Sequence, residues 1–482
     1  MKLLKTLLIL LFSLVIVSCS EKDDTPKEIE VQDFVWKGLN AYYLWQDLVP
    51  DLSDRRFGND QELYSYLSGY DNPANLFYSL LYMPNEYPKD PNRTYSWIVD
   101  DYIALERAFE GTRETTGMKL EGVDFADGSG GYYVYVYDVV KGSDADTKGV
   151  TRGMIITEVN GTTLTRANVN TLFSANSFTI HLADYNGGNP TTNGTTITLT
   201  RSLVTENPVK VTNVITQGSN TIGYLMYNQF ADEFDGNLNA AFANFKSSNI
   251  TDLIIDLRYN GGGSVQTATY LGSMVTGQFT GELFSKQVWN HKVMAVTDPN
   301  LLVNNFTNRI LNKDRNGNIV LDETINSLNL NTVYFIVSDD SASASELVIN
   351  SLKPYIDVKL VGIQTYGKHV GSITLYDSDN FRRTGPNLKS HTWAMQPIVL
   401  EIQNKNGENA PEGFIPEVIM DEDPGNLGVL GDPTEPLLER TIQYITTGAK
   451  RIPFSRKTTQ FSPSWNSNMI LPDYNNMYVE LK

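Results

Sequence analysis

Three serines set two apart, Ser341, Ser343 and Ser345, alternate with alanines just ahead of a helical apolar pattern at residues 346–352. A lysine, Lys368, follows a glycine 25 residues beyond Ser343. These residue types suit one chemistry. A hydroxyl attacks a carbonyl once a base takes its proton, and a lysine amine serves as that base when burial strips its charge. The elements that must position them are legible too. Residues 333–337 form a short β-branched and aromatic run that predicts a buried strand. The serines therefore stand where a strand hands over to a helix, beside free N–H groups and a dipole favouring negative charge. Lys368 sits in a Gly367-Lys368 turn after a second apolar strand, at 358–363. The same residues also read blandly, as a small-residue helix cap and a solvated loop lysine. A phosphate loop is a third reading, since residues 362–368 imitate its first seven places. It is rejected because His369 replaces the magnesium-binding hydroxyl and 370–376 has a strand pattern rather than a helical one.

Composition sets the bounds. A chain of 482 residues exceeds what one core usually serves, and its net charge of −18 argues against nucleic acid as a partner. No Walker loop, HExxH or GxSxG pattern is present, so no cofactor and no metal is expected. The single cysteine, Cys19, closes Ile16-Val17-Ser18-Cys19 after Lys2, Lys5 and an apolar run too short for a comfortable membrane span.

The run SASASE, a helix, and VGIQTYGK together resemble the core of the C-terminal processing peptidases, also called tail-specific proteases, which use a Ser/Lys pair. The resemblance implies a serine endopeptidase that cleaves protein substrates, with Ser343 as nucleophile and Lys368 as base. The block Arg258-Tyr-Asn-Gly-Gly-Gly263 resembles the family's oxyanion loop. It implies N–H donors at Gly263, with Gly262 close behind, and at Ala344. Ser372 stands where some relatives carry a glutamine that orients the lysine, and Pro354 where many carry an aspartate. A histidine base, as in tricorn-like relatives, finds no matching motif at His181 or His291. Two other functions remain: a peptide-binding surface lipoprotein that has lost turnover, and an esterase sharing the acyl-enzyme chemistry.

The chain then divides, as an expectation, into six parts. Residues 1–19 read as a signal ending in a lipobox, which makes Cys19 a lipid anchor to a membrane of the cell envelope, the outer membrane, facing the periplasm or the surface. Residues 20–30 read as an acidic tether and 31–116 as a helical domain. Residues 117–205 resemble a PDZ domain, which would bind polypeptide substrates by strand addition to a sheet edge. Residues 206–447 form the catalytic α/β unit, of the ClpP/crotonase-like kind that the resemblance implies, and 448–482 show no period and receive no assignment. Within the catalytic unit, residues 312–323 imitate a calcium loop, while their Asn316-Gly317 pair signals a hairpin.

Overall fold

The structure is a computed structural model and describes residues 25–87, 93–450, 465–471 and 475–479. The signal, Cys19 and residues 20–24 of the expected tether lie outside the described residues. The tether's remaining residues are not a free linker, since Lys27–Ile29 forms a helical turn, Ile29 is buried in the core and Glu30 opens the first helix. Among the described residues no helix is long and apolar enough to cross a membrane.

The N-terminal part is helical. Glu30–Tyr42 buries Phe34, Val35 and Leu39 along one face, and Asp60–Leu67 and Pro73–Ser79 start on asparagine caps, Asn59 and Asn72. These helices share one hydrophobic core with the catalytic unit. Phe34, Leu39 and Phe77 belong to the cluster that contains Leu375 and Met395. Gly38 marks the closest approach, since a Cβ there would lie 2.0 Å from Met395 Cε.

The β-rich part is an antiparallel sheet whose main path runs Trp465–Asn466, Met118–Asp124, Tyr132–Val139, Ile155–Val159, Ser177–Asp184 and Thr191–Thr200. Within it, Tyr132–Val139 is buried at every position but the last, for a visible reason. Val134 and Val136 face this sheet's own core, while Tyr133, Tyr135 and Tyr137 alternate onto a cluster shared with Ile336 and Leu437 of the catalytic unit.

The catalytic part is mixed α/β. One sheet orders Val209–Gln217, Asn220–Tyr227, Asp252–Asp256, Thr332–Val337, Asp357–Gly362 and Val418–Ile419, all parallel after the first antiparallel pair. A second sheet orders Gly263–Ser264, Met477–Tyr478, Val370–Ser372, Ile398–Gln403, Leu283–Trp289 and Val303–Asn305. The helices Val265–Thr276 and Ala344–Leu352 are buried almost all round, as helices covered on every side must be. The residues that imitate a calcium loop form the hairpin Arg309–Lys313 with Ile319–Thr324, turning at Gly317 with φ +82°. The Asp314 carboxylate accepts the N–H groups of Asn316 and Asn318 at 2.9 and 2.8 Å.

Two pieces of the unassigned C-terminal segment take definite places. Trp465–Asn466 adds antiparallel to Glu121 and Gly122 at the edge of the β-rich sheet. Met477–Tyr478 lies parallel between Gly263–Ser264 and Ser372.

Candidate active site

The strand Thr332–Val337 delivers the three serines, and their hydroxyls separate by partner. Ser341 donates to the Leu257 carbonyl at 2.8 Å and Ser345 to the Asn260 carbonyl at 2.9 Å, so both stitch the serine loop to the glycine loop. Ser343 alone of the three turns to the C-terminal segment, donating to the Asn475 carbonyl at 2.9 Å. Its backbone has φ +60° and ψ −113°, a region that non-glycine residues avoid. Holding it there costs on the order of 1–3 kcal/mol, a strain that the surrounding bonds must impose.

The bonds that impose it converge on Glu346. Its carboxylate accepts Ser343 N–H at 3.1 Å, Thr365 O–H at 2.6 Å, Gly367 N–H at 2.7 Å and Lys368 N–H at 2.8 Å. One buried side chain therefore fixes the serine and the lysine turn to each other. Burial pushes its pKa up to about 7, against the pull of these four donors.

Lys368 is 2% exposed. Its amine donates to the same Asn475 carbonyl at 2.8 Å and sits 4.9 Å from the centre of the Tyr95 ring. Burial lowers its pKa to about 7, with Glu86 and Glu346 opposing. The Tyr95 wall comes from the N-terminal part. Fully buried Glu86 accepts the N–H groups of Tyr95 and Ser96 at 3.0 and 2.8 Å and the Tyr43 hydroxyl at 2.8 Å. The N-terminal part thus helps to shape the lysine's surroundings, with Tyr43 following directly on its first helix.

The two neighbouring glycines of the loop differ in their partners. Gly262 N–H is taken by the Asn260 side chain at 2.9 Å, whereas Gly263 N–H donates to the Asn476 carbonyl at 2.6 Å. A Cβ on Gly262 would lie 2.3 Å from that oxygen and 3.0 Å from Ala344 N, so Asn476 O and Ala344 N line the same small space. Gly263, at φ +135°, has no room for a side chain, since a Cβ would lie 2.2 Å from the Phe230 carbonyl. Beneath the loop, fully buried Arg258 pairs with Asp256 at 2.7 Å, Glu435 at 2.7 Å and Glu422 at 2.8 Å.

Ser343, Lys368, Gly263 and Ala344 are thus brought together. Ser372 is close but differently engaged: its hydroxyl bonds Asn476 Oδ1 at 3.0 Å and the Met477 carbonyl at 3.1 Å and accepts from Gln396 at 3.1 Å. Its bonds do not reach the Lys368 amine, which turns instead to Asn475 and Tyr95. His181 neighbours Glu158 and His291 neighbours Asp47, away from this site. Sequence reasoning missed Glu346, Tyr95 and the C-terminal segment. Only Glu346 carried a signal, because Ser343-x-x-Glu346 is the spacing of a capping box.

Residues 221–384 match the model of peptidase family S41, and residues 30–97 match the peptidase S41 N-terminal domain. No curated protein matches the sequence. Among solved structures, an S41 protease from Bacteroides fragilis is 20% identical, with 86% of this chain and 97% of that one covered and a TM-score of 0.64. The photosystem II D1 C-terminal processing protease is 18% identical, with 84% and 95% covered and a TM-score of 0.45.

Proposed function

The chain belongs to peptidase family S41 and is a serine peptidase, and from that premise we propose that it cleaves polypeptides through a Ser343/Lys368 acyl-enzyme. The observation that carries the reading is the shared acceptor. Ser343 Oγ and Lys368 Nζ converge on one carbonyl oxygen, the first from a helix start and the second from a turn 25 residues on.

Neutral Lys368 takes the Ser343 proton as the oxygen attacks the acyl carbon, and the developing oxyanion rests on the N–H groups of Gly263 and Ala344. The charged lysine then returns its proton to the leaving amine, and water releases the acyl group. With burial lowering its pKa to about 7, the amine can stand uncharged at neutral pH, as a base must. The PDZ-like unit would bind substrate by strand addition to Met118–Asp124 once Trp465–Asn466, which pairs along that edge here, has left it. Cys19 would tether the enzyme to a membrane of the cell envelope.

The test is incubation of an unstructured protein such as casein with the purified chain, Ser343→Ala and Lys368→Met. Both variants are expected to lose activity by roughly 10³-fold or more. Equal cleavage by Ser343→Ala would remove the assignment. A second reading, peptide capture without turnover, has one observation in its favour: the chain's own residues 475–478 fill the cleft. It requires that no variant differ from the parent in cleavage.

A further inference from the structure

The segment 475–479 lies in the cleft as a polypeptide substrate would. Its contacts are chiefly main-chain. The Asn475 carbonyl takes the protons of Ser343 Oγ and Lys368 Nζ, and the Asn476 carbonyl takes Gly263 N–H at 2.6 Å. The Met477 carbonyl takes the Ser372 hydroxyl, and Val479 N–H donates to the Ser372 carbonyl at 3.1 Å. This is an extended strand added between Gly263–Ser264 and Ser372, the backbone-reading mode that accepts many sequences. Two side chains fix its register. Met477 is fully buried, and Tyr478 stacks on Phe109 with ring centres 4.6 Å apart.

A second anchor lies ten residues upstream. Trp465 pairs with Gly122 on the edge strand and stacks on Phe173, 6.1 Å between ring centres. Its indole N–H donates to Asn170 at 2.6 Å. Phe173 and Asn170 lie on the helix Val169–Phe173, so the tryptophan sits between that helix and the edge strand. Asn466 adds a bond to Asp340 at 2.8 Å, and the Ser467 hydroxyl accepts Leu120 N–H at 2.9 Å. An open cleft of about 440 Å³ adjoins both anchors, bounded by Phe173, Trp465, Gly263 and Tyr478.

We propose that the C-terminal segment is a substrate-mimicking strand, held at Trp465 and at residues 475–479, that keeps this peptidase latent until a polypeptide displaces it. The inference rests on the catalytic reading above for the word latent, and on the geometry alone for the occupancy. Covalent attachment raises the effective concentration of the strand to the order of millimolar, so a free substrate at micromolar levels competes poorly. Loosening the remote anchor should therefore expose the cleft, even though Trp465 touches no residue of the Ser/Lys pair.

The test uses full-length chains. Labelling of Ser343 by a fluorophosphonate is followed for the parent and for Trp465→Ala, with melting curves confirming that both are folded. The variant is expected to label at least tenfold faster, and a synthetic peptide of residues 465–482 added in trans should slow it again. The same peptide shortened to residues 465–474 should not. Where the chains do label, a parent that labels as fast as the variant, or a variant that the peptide fails to slow, overturns the proposal. Occupancy is read separately by anisotropy of the fluorescent peptide on the Trp465→Ala/Ser343→Ala chain, where catalysis plays no part. Binding there with no labelling of any chain would sink the nucleophile assignment and keep the mimicry. Absence of binding would sink the mimicry whatever Ser343 does.

Discussion

Replacing Lys368 by methionine should stabilise this protein while abolishing its activity. The lowering of the amine pKa from its ordinary 10.5 to about 7 means that folding disfavours the charged form. At 1.36 kcal/mol per pH unit this is roughly 4–5 kcal/mol against the fold. Methionine fills a similar volume without charge. It forfeits one hydrogen bond to Asn475, worth about 1 kcal/mol, and relaxation absorbs part of the remainder. A net gain of about 2 kcal/mol at pH 7 is expected. The sign with pH follows from proton binding. Below pH 7 the lysine is charged in both folded and unfolded chains, and the fold bears the whole penalty. Between pH 7 and about 10.5 the unfolded chain holds a proton that the folded one has released, so parental stability climbs and the advantage of the variant shrinks. Urea or thermal unfolding at pH 6.5, 7.5 and 9 measures this directly. A Lys368→Met protein less stable than the parent at pH 7, or an advantage that does not change up to pH 9, would refute the burial argument and with it the uncharged base.

Glu346→Gln should be costly despite its matching shape, because an amide NH₂ would face two of the four donors now held by carboxylate oxygens; a loss of about 2–4 kcal/mol in unfolding free energy is expected. Gly263→Ala should lower peptide cleavage by 10²-fold or more in a kcat assay, since the added Cβ displaces the loop that presents the Gly263 N–H. Arg258→Ala should lose about 3–5 kcal/mol in a denaturant titration, because Asp256, Glu422 and Glu435 would be left buried without their cation.

The serine, the lysine and the glycine loop were legible because each lies within a few residues of the strand or turn that presents it. Gly263 and Ala344 were named from the resemblance of those blocks to a peptidase family, not from the residues alone. The fold class was legible for a similar reason: the strands 333–337 and 358–363 carry their apolar pattern within single windows, and the helix at 30–42 shows its face at the expected spacing. The role of Glu346 was harder. Its spacing announces a helix start, but its partners Thr365, Gly367 and Lys368 lie about twenty residues on and declare nothing in sequence. Ser372 illustrates the opposite difficulty, since a hydroxyl of the right type near the lysine spends its bonds on Gln396, Asn476 and Met477. The C-terminal segment was illegible because its strands are two residues long, with no room for a period. Its bonds to Ser343 and Lys368 span more than a hundred residues. The shared core of the N-terminal helices and the catalytic unit escaped notice too, for Gly38 against Met395 leaves no local trace.

The chain direction of residues 465–479 carries a final consequence for the order of events in turnover. The tryptophan foothold comes before the carbonyl that meets Gly263, so a polypeptide threaded the same way would stay moored by its upstream portion. That portion is also the one an acyl-enzyme retains. On the proposed mechanism the downstream fragment would drift off first, while the upstream portion stays moored until water frees it from the serine.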